Sequence, residues 1–228
     1  MLPNFAWAYL SNLFMGVVAA LGYWKLRKSY EDSGVDTVGY FSKFFGYFSL
    51  FMFLMGAPML IPVALSGVKL GAFYIFGHIF LYISLAYLVL VPINIYEPRY
   101  RKAGFWATGF AGALITFVNL VFWNEPSIES GLLSLNVGVP VGPLIGVVVG
   151  VSMLSAGGFF AKLAWSRSGN DRYKFGLLAL GMLVITLGGP LHDNATSLMM
   201  YLIADILTVS GLIYLMAGLF IDWVVEKI

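Results

Sequence analysis

Few residues in this chain have types and spacings suited to chemistry. They are the run Leu187-Gly188-Gly189-Pro190-Leu191-His192-Asp193-Asn194, Asp205 inside the next apolar stretch, and His78 far upstream. With two histidines and no cysteine in the whole chain, imidazole and carboxylate are the available proton carriers and ligands. His78 lies about ten residues inside an apolar segment, roughly 15 Å from its end at about 1.5 Å per residue. Asp205 sits at a similar depth in the last apolar segment. Equal depth allows a carboxylate–imidazole pair, and an aspartate lacking any partner would be expensive in hydrocarbon. Such a pair could line a solute or proton pathway and exchange a proton near neutral pH. The competing reading is that each group satisfies a neighbour such as Asn12, Asn119, Tyr82 or Tyr201 and fixes packing.

The run around Pro190 admits several readings. Pro190 is expected to break its helix, with Asp193 or Asn194 capping the next one. His192 and Asp193 are both metal-ligand types, but a tetrahedral zinc site wants more imidazoles or thiolates than this chain holds, so no metal centre is expected. Haem b held between His78 and His192 needs the two imidazoles on opposite axial faces. Their depths differ by about 10 Å, so that pairing requires the sixth segment to dip inward. Pro58 and Pro62 fall inside the second segment, where proline removes a backbone bond and should kink or unwind the helix. Broken helices of this kind line binding sites in transporters, where the freed carbonyls face a polar cavity. A retinal Schiff base would need a lysine inside the seventh segment, and none is there. Nucleotide-cradling and serine-elbow motifs are likewise missing.

The elements that must position these residues follow from composition. The chain is 228 residues long, 60% apolar and only 11% charged, whereas soluble domains carry roughly 25% charged residues. So few charges cannot cover a core against water, and in lipid only helices or closed barrels satisfy their own backbone. The apolar runs approach the length of about 20 residues that a helix needs to span a bilayer, which selects helices over barrel strands. The expected fold is an all-α polytopic membrane protein, a single domain of seven transmembrane helices at 4–24, 40–66, 70–95, 103–123, 140–163, 174–191 and 196–222. Residues 1–24 lack a basic leader and are read as a retained first span.

Charge sets the expected orientation. Every lysine and arginine except Lys69 falls in the 24–43, 96–102 and 162–174 connections or at Lys227, while Glu125, Glu129 and Asp193 lie on the other side. The positive-inside rule then places the N-terminus outside and the C-terminus in the cytoplasm. With the basic residues at helix ends, the formal charge of +2 gives no reason to expect nucleic acid as a partner. The 124–139 connection, polar and then leucine-rich, is expected to lie partly on the membrane surface. The expected location is a prokaryotic cytoplasmic membrane.

An internal repeat is a further expectation. Met55-Gly56-Ala57-Pro58-Met59 resembles Leu187-Gly188-Gly189-Pro190-Leu191, and Ala20-Leu21-Gly22-Tyr23-Trp24-Lys25 resembles Ala156-Gly157-Gly158-Phe159-Phe160-Ala161-Lys162. The chain then divides into triplets 4–95 and 140–222 joined by helix 103–123, parallel repeats about an axis along the membrane normal. This three-plus-one-plus-three layout resembles that of small sugar transporters built from two triple-helix bundles. The likeness is one of topology and carries no family residue onto this chain. Gly104, Gly109 and Gly112, with Gly142, Gly146 and Gly150 spaced by four, are expected to form a close seam in the bundle or a homo-oligomer or membrane-complex interface. The leading functional expectation is transport of a small polar or ionic solute, with Pro58, Pro62 and Pro190 shaping the cavity. The alternatives are a haem- or quinone-binding subunit of an electron-transport complex and a structural subunit of a larger membrane assembly. The chain is not expected to be an enzyme on its own.

Overall fold

The computed structural model describes residues 4–57, 67–122, 127–129, 132–134, 140–193, 195 and 197–225. Seven helices run α1 Asn4–Ser33, α2 Asp36–Gly56, α3 Gly67–Tyr96, α4 Arg101–Val121, α5 Val141–Ser166, α6 Gly169–Asp193 and α7 Leu198–Val225. Among the described residues, six of them (α2 to α7) are long and apolar enough to cross a membrane. This is a helical membrane-protein fold. The expected kink at Pro58 and Pro62 and the cap at Asn194 lie outside the described residues.

Several helices outrun their apolar cores. α1 continues past the expected end of its span through the charged run Lys25 to Ser33, where Arg27 pairs with Glu31 one turn on at 2.6 Å. Hydrophobicity marks where lipid ends, while propensity and side-chain pairing carry the helix further. Gly34 then stops it: its φ of 66° is left-handed, and its N–H reaches back to the Tyr30 carbonyl at 2.8 Å. That is a glycine C-cap, which leaves a two-residue turn into α2. The α5–α6 connection is equally short, with Gly169 at φ 59°. Between α3 and α4, Pro98 opens a short 3-10 turn, Pro98–Tyr100. Arg101 knits this end together. Its Nη1 donates to Asn94 Oδ1 at 3.1 Å and to Asp36 Oδ2 at 3.3 Å, and Asn94 donates to Thr37 Oγ1 at 2.9 Å.

These three tight connections lie at one end of an up-and-down bundle. α1, α2 and α3 pack in sequence, as do α5, α6 and α7, and the two triplets meet through α1 against α7 and α3 against α5. The result is a ring ordered α1, α2, α3, α5, α6, α7. α4 lies outside it against α3 and α5, burying only Gly112, Ile115 and Asn119. The largest fully buried side chains, among them Met15, Phe44, Leu85, Met153, Met182 and Leu215, come from the six ring helices. α4 instead exposes Trp106, Phe110, Leu114 and Phe117, apolar bulk suited to lipid.

Two features go beyond the sequence expectation. The 124–139 connection contains a hairpin, β1 Ser127–Glu129 antiparallel to β2 Leu132–Ser134, and β2 lies beside α1. The hairpin joins α4 to α5 and reaches the opposite side of the ring, so it crosses one end of the bundle. The tightest glycine seam also falls elsewhere than expected. A Cβ at Gly181 would stand 2.7 Å from the Gly211 carbonyl oxygen, one at Gly211 2.9 Å from that of Gly181, and one at Gly218 3.0 Å from that of Lys174. Gly211 and Gly218 are two turns apart on one face, so α6 and α7 approach backbone to backbone. Gly109 and Gly150 meet nothing within 4 Å, whereas Gly112 abuts Tyr82 and Gly104 abuts Ile93.

Candidate functional site

Most of the buried polar side chains, seven of the nine among the described residues, gather toward the end of the bundle away from the tight connections: Asn12 on α1, Ser49 on α2, His78 on α3, Asn119 on α4, Ser152 on α5, and Asp205 and Thr208 on α7; Ser42 of α2 and Ser84 of α3 lie nearer the tight connections. The other half is aromatic. Phe41, Phe44, Phe45 and Phe48 of α2 stack along one another and against Phe160 of α5, with Phe41 and Phe160 5.4 Å apart. Phe159 meets Tyr96 of α3 at 5.7 Å.

Asp205 is only 4% exposed, and its Oδ2 accepts a hydrogen bond from Ser11 Oγ at 3.0 Å. Ser11 belongs to α1, so this bond spans the α1–α7 seam between triplets. Burying a carboxylate at this depth requires such donors, because desolvation otherwise costs several kcal/mol. The nearby Thr208 hydroxyl turns to its own helix, donating to the Ala204 carbonyl at 2.9 Å.

His78 is 3% exposed. Its Nδ1 donates to the Tyr74 carbonyl at 2.9 Å, so Nδ1 carries a proton, since a carbonyl oxygen can only accept. Rings surround it: Tyr74 at 4.0 Å, Phe51 of α2 at 5.2 Å edge-on and Tyr82 at 6.2 Å. Tyr82 in turn lies against Gly112 of α4, so the glycine admits the ring that backs the histidine.

The structure separates the pair that equal depth suggested. α3 and α7 stand at opposite positions of the ring, and among the described residues the ion pairs are Arg27–Glu31, Arg99–Glu97 and Arg101–Asp36, none of which joins His78 to Asp205. Depth is an axial coordinate that the sequence carries. The angle around the bundle axis comes from packing. Of the other candidates, Asn12 and Asn119 are buried on α1 and α4. Pro190 does not end its helix, since α6 runs on to Asp193. Its ring faces Gly146 of α5, where an added Cβ would stand 3.9 Å from it, an ordinary van der Waals contact. The side chains of His192 and Asp193, and with them the haem pairing with His78, lie outside the described residues. Sequence reasoning passed over Ser11, because a serine in an apolar helix gives no signal until its partner is known. It also passed over two cation–π contacts. Lys25 stands over the Phe220 ring at 5.7 Å across α1–α7, and Lys162 over Tyr96 at 4.6 Å across α3–α5.

The class that fold and site define is a helical integral membrane protein with a polar buried half, an aromatic half and a carboxylate on the seam between two triplets. No protein-family model, curated protein or solved structure matches the chain.

Proposed function

We propose that the protein carries a small polar or ionic solute across the membrane. All seven helices span it, with the tight, basic connections facing the cytoplasm and the solute path lying between two triplets related by an approximate two-fold axis along the membrane normal. The observation that carries this reading is Asp205, buried and held by Ser11 across the seam where the triplets would part. Ionisable groups at such depth mark substrate and proton paths, and this one sits where a rocking motion would expose it. In the state described, the phenylalanine layer closes the cytoplasmic half.

The burial pattern supports the repeat. With Lys25 set on Lys162, the buried Asn12, Met15, Gly16, Ala19 and Gly22 of α1 fall on the buried Val149, Ser152, Met153, Ala156 and Phe159 of α5. In that register the exposed Phe14, Val17, Leu21 and Trp24 fall on the exposed Val151, Leu154, Gly158 and Ala161. With His78 set on Asp205, the buried Gly77, Leu81, Leu85 and Leu88 fall on the buried Ala204, Thr208, Leu212 and Leu215. The two lysine–aromatic contacts then come from matched lysines, one on each seam, to rings about one turn apart in that register, where Phe220 falls on Ile93 and Tyr96 on Trp223. His78 and Asp205 become counterparts, each in its own seam, which gives them separate roles in one path.

The test is uptake by vesicles containing the purified protein, screened with labelled sugars, amino acids and carboxylates, with internal pH followed by a trapped dye. Removing one group that a path needs typically costs a factor of ten or more, as when a buried site loses a hydrogen-bonding partner. Asp205→Asn and Ser11→Ala should therefore depress uptake of whichever solute the wild type carries, with helical content retained. Uptake unchanged in a correctly folded Asp205→Asn protein would overturn the reading.

A further inference from the structure

On the flank of the first triplet a cleft of about 510 Å³ runs between α1 and α2, in the volume range of small-molecule sites. Its composition is graded along the helices. One end holds Arg27, Lys43 and the tyrosines Tyr23, Tyr30 and Tyr47, and the other holds Ala20, Leu50 and Phe53. Glycines make its floor: a Cβ at Gly46 would stand 3.0 Å from the Tyr23 ring, and one at Gly39 2.9 Å from that of Tyr30. Both lie on one face of α2, so the tyrosine rings of α1 pack close against bare backbone and the groove stays open between them. Ser49, further along, is spent on the Gly16 carbonyl at 2.8 Å, which leaves the deep end apolar.

We infer that this groove holds one anionic phospholipid, its phosphate at Lys43 and the tyrosine hydroxyls and an acyl chain running along Gly46 to Phe53. Charge and length both select this occupant. Among the described residues no carboxylate is within ion-pair distance of Lys43, which stands over the Tyr87 ring at 5.1 Å; Arg27 is shared with Glu31. From Lys43 to Phe53 the helix rises about 15 Å, half of a hydrocarbon core of about 30 Å and so the depth of one leaflet. Tyrosines at the charged end match the headgroup level. A zwitterionic lipid would bring its own ammonium against Lys43, which disfavours it. The inference uses the membrane class of the fold and is independent of transport.

The experiment is native mass spectrometry of the detergent-solubilised full chain with phosphatidylglycerol or phosphatidylcholine added at equal, limiting concentration. The wild type should retain one phosphatidylglycerol in preference to phosphatidylcholine. A basic residue at the headgroup level is worth roughly a fivefold change in binding. Lys43→Gln should therefore weaken phosphatidylglycerol retention by about that factor, and Lys43→Arg should restore it. Leu50→Trp, at a position already 46% exposed, should block the chain track without straining the fold, whereas Leu187→Trp on the outer face of α6 should change nothing. Equal retention of both lipids, no effect of Lys43→Gln, or equal effects of Leu50→Trp and Leu187→Trp would each overturn the assignment.

Discussion

Replacing Lys25 and Lys162 together by Met should loosen the aromatic end of the bundle, because each lysine bridges one of the two seams between triplets. Lys25 lies 5.7 Å above Phe220 and Lys162 4.6 Å above Tyr96. Such contacts contribute about 0.5–1 kcal/mol at sites reached by water and more when desolvated. The two seams are on opposite sides of the ring with no shared partner, so their effects should add. A combined loss of about 1–2 kcal/mol multiplies the population parted at this end roughly five- to thirtyfold. Met keeps the apolar stem packed on the ring and removes only the charge, which separates this effect from lost burial. The chain contains no cysteine, so a single Ser152→Cys, at a position 2% exposed, reports without background. Its labelling by a membrane-impermeant thiol reagent added from the side of the tight connections should accelerate by that factor in the double variant. Each single variant should give about the square root of it. Labelling at the wild-type rate in the double variant, or acceleration in one single variant but not in the other, would refute the bridging of the two seams by these lysines.

Two further outcomes follow from the packing. Gly211→Val drives a side chain into the Gly181 backbone and should lower stability in detergent by about 1–3 kcal/mol, whereas Gly109→Ala and Gly150→Ala, with open space around them, should be neutral or stabilise by up to about 1 kcal/mol through helix propensity; denaturant titration followed by circular dichroism separates the cases. Arg101→Met should cost about 1–2 kcal/mol, since it removes both the bond to Asn94 and the ion pair with Asp36, while Asp36→Asn should cost at most about 1 kcal/mol and less at high salt; equal losses in the two variants would show that Asn94 contributes nothing.

Composition alone determined that the chain is a bundle of membrane-crossing helices, because so few charges cannot cover a core in water. The run lengths determined where most helices lie: the 140–163 segment is α5 Val141–Ser166, and 103–123 is α4 Arg101–Val121. Charge at the ends and axial depth were legible in the same way, since both depend only on position along the chain. The tertiary structure decided what meets what. It set Asp205 against Ser11 and His78 against Tyr74 and Phe51 on the other side of the ring, put the glycine seam at Gly181 and Gly211, placed α4 outside, and continued α6 past Pro190 to Asp193. The reason is physical. In water a polar stripe tells which face of a helix is outside, but in lipid both faces are apolar, so the rotation of each helix about its own axis leaves little trace in the sequence and is set by close packing.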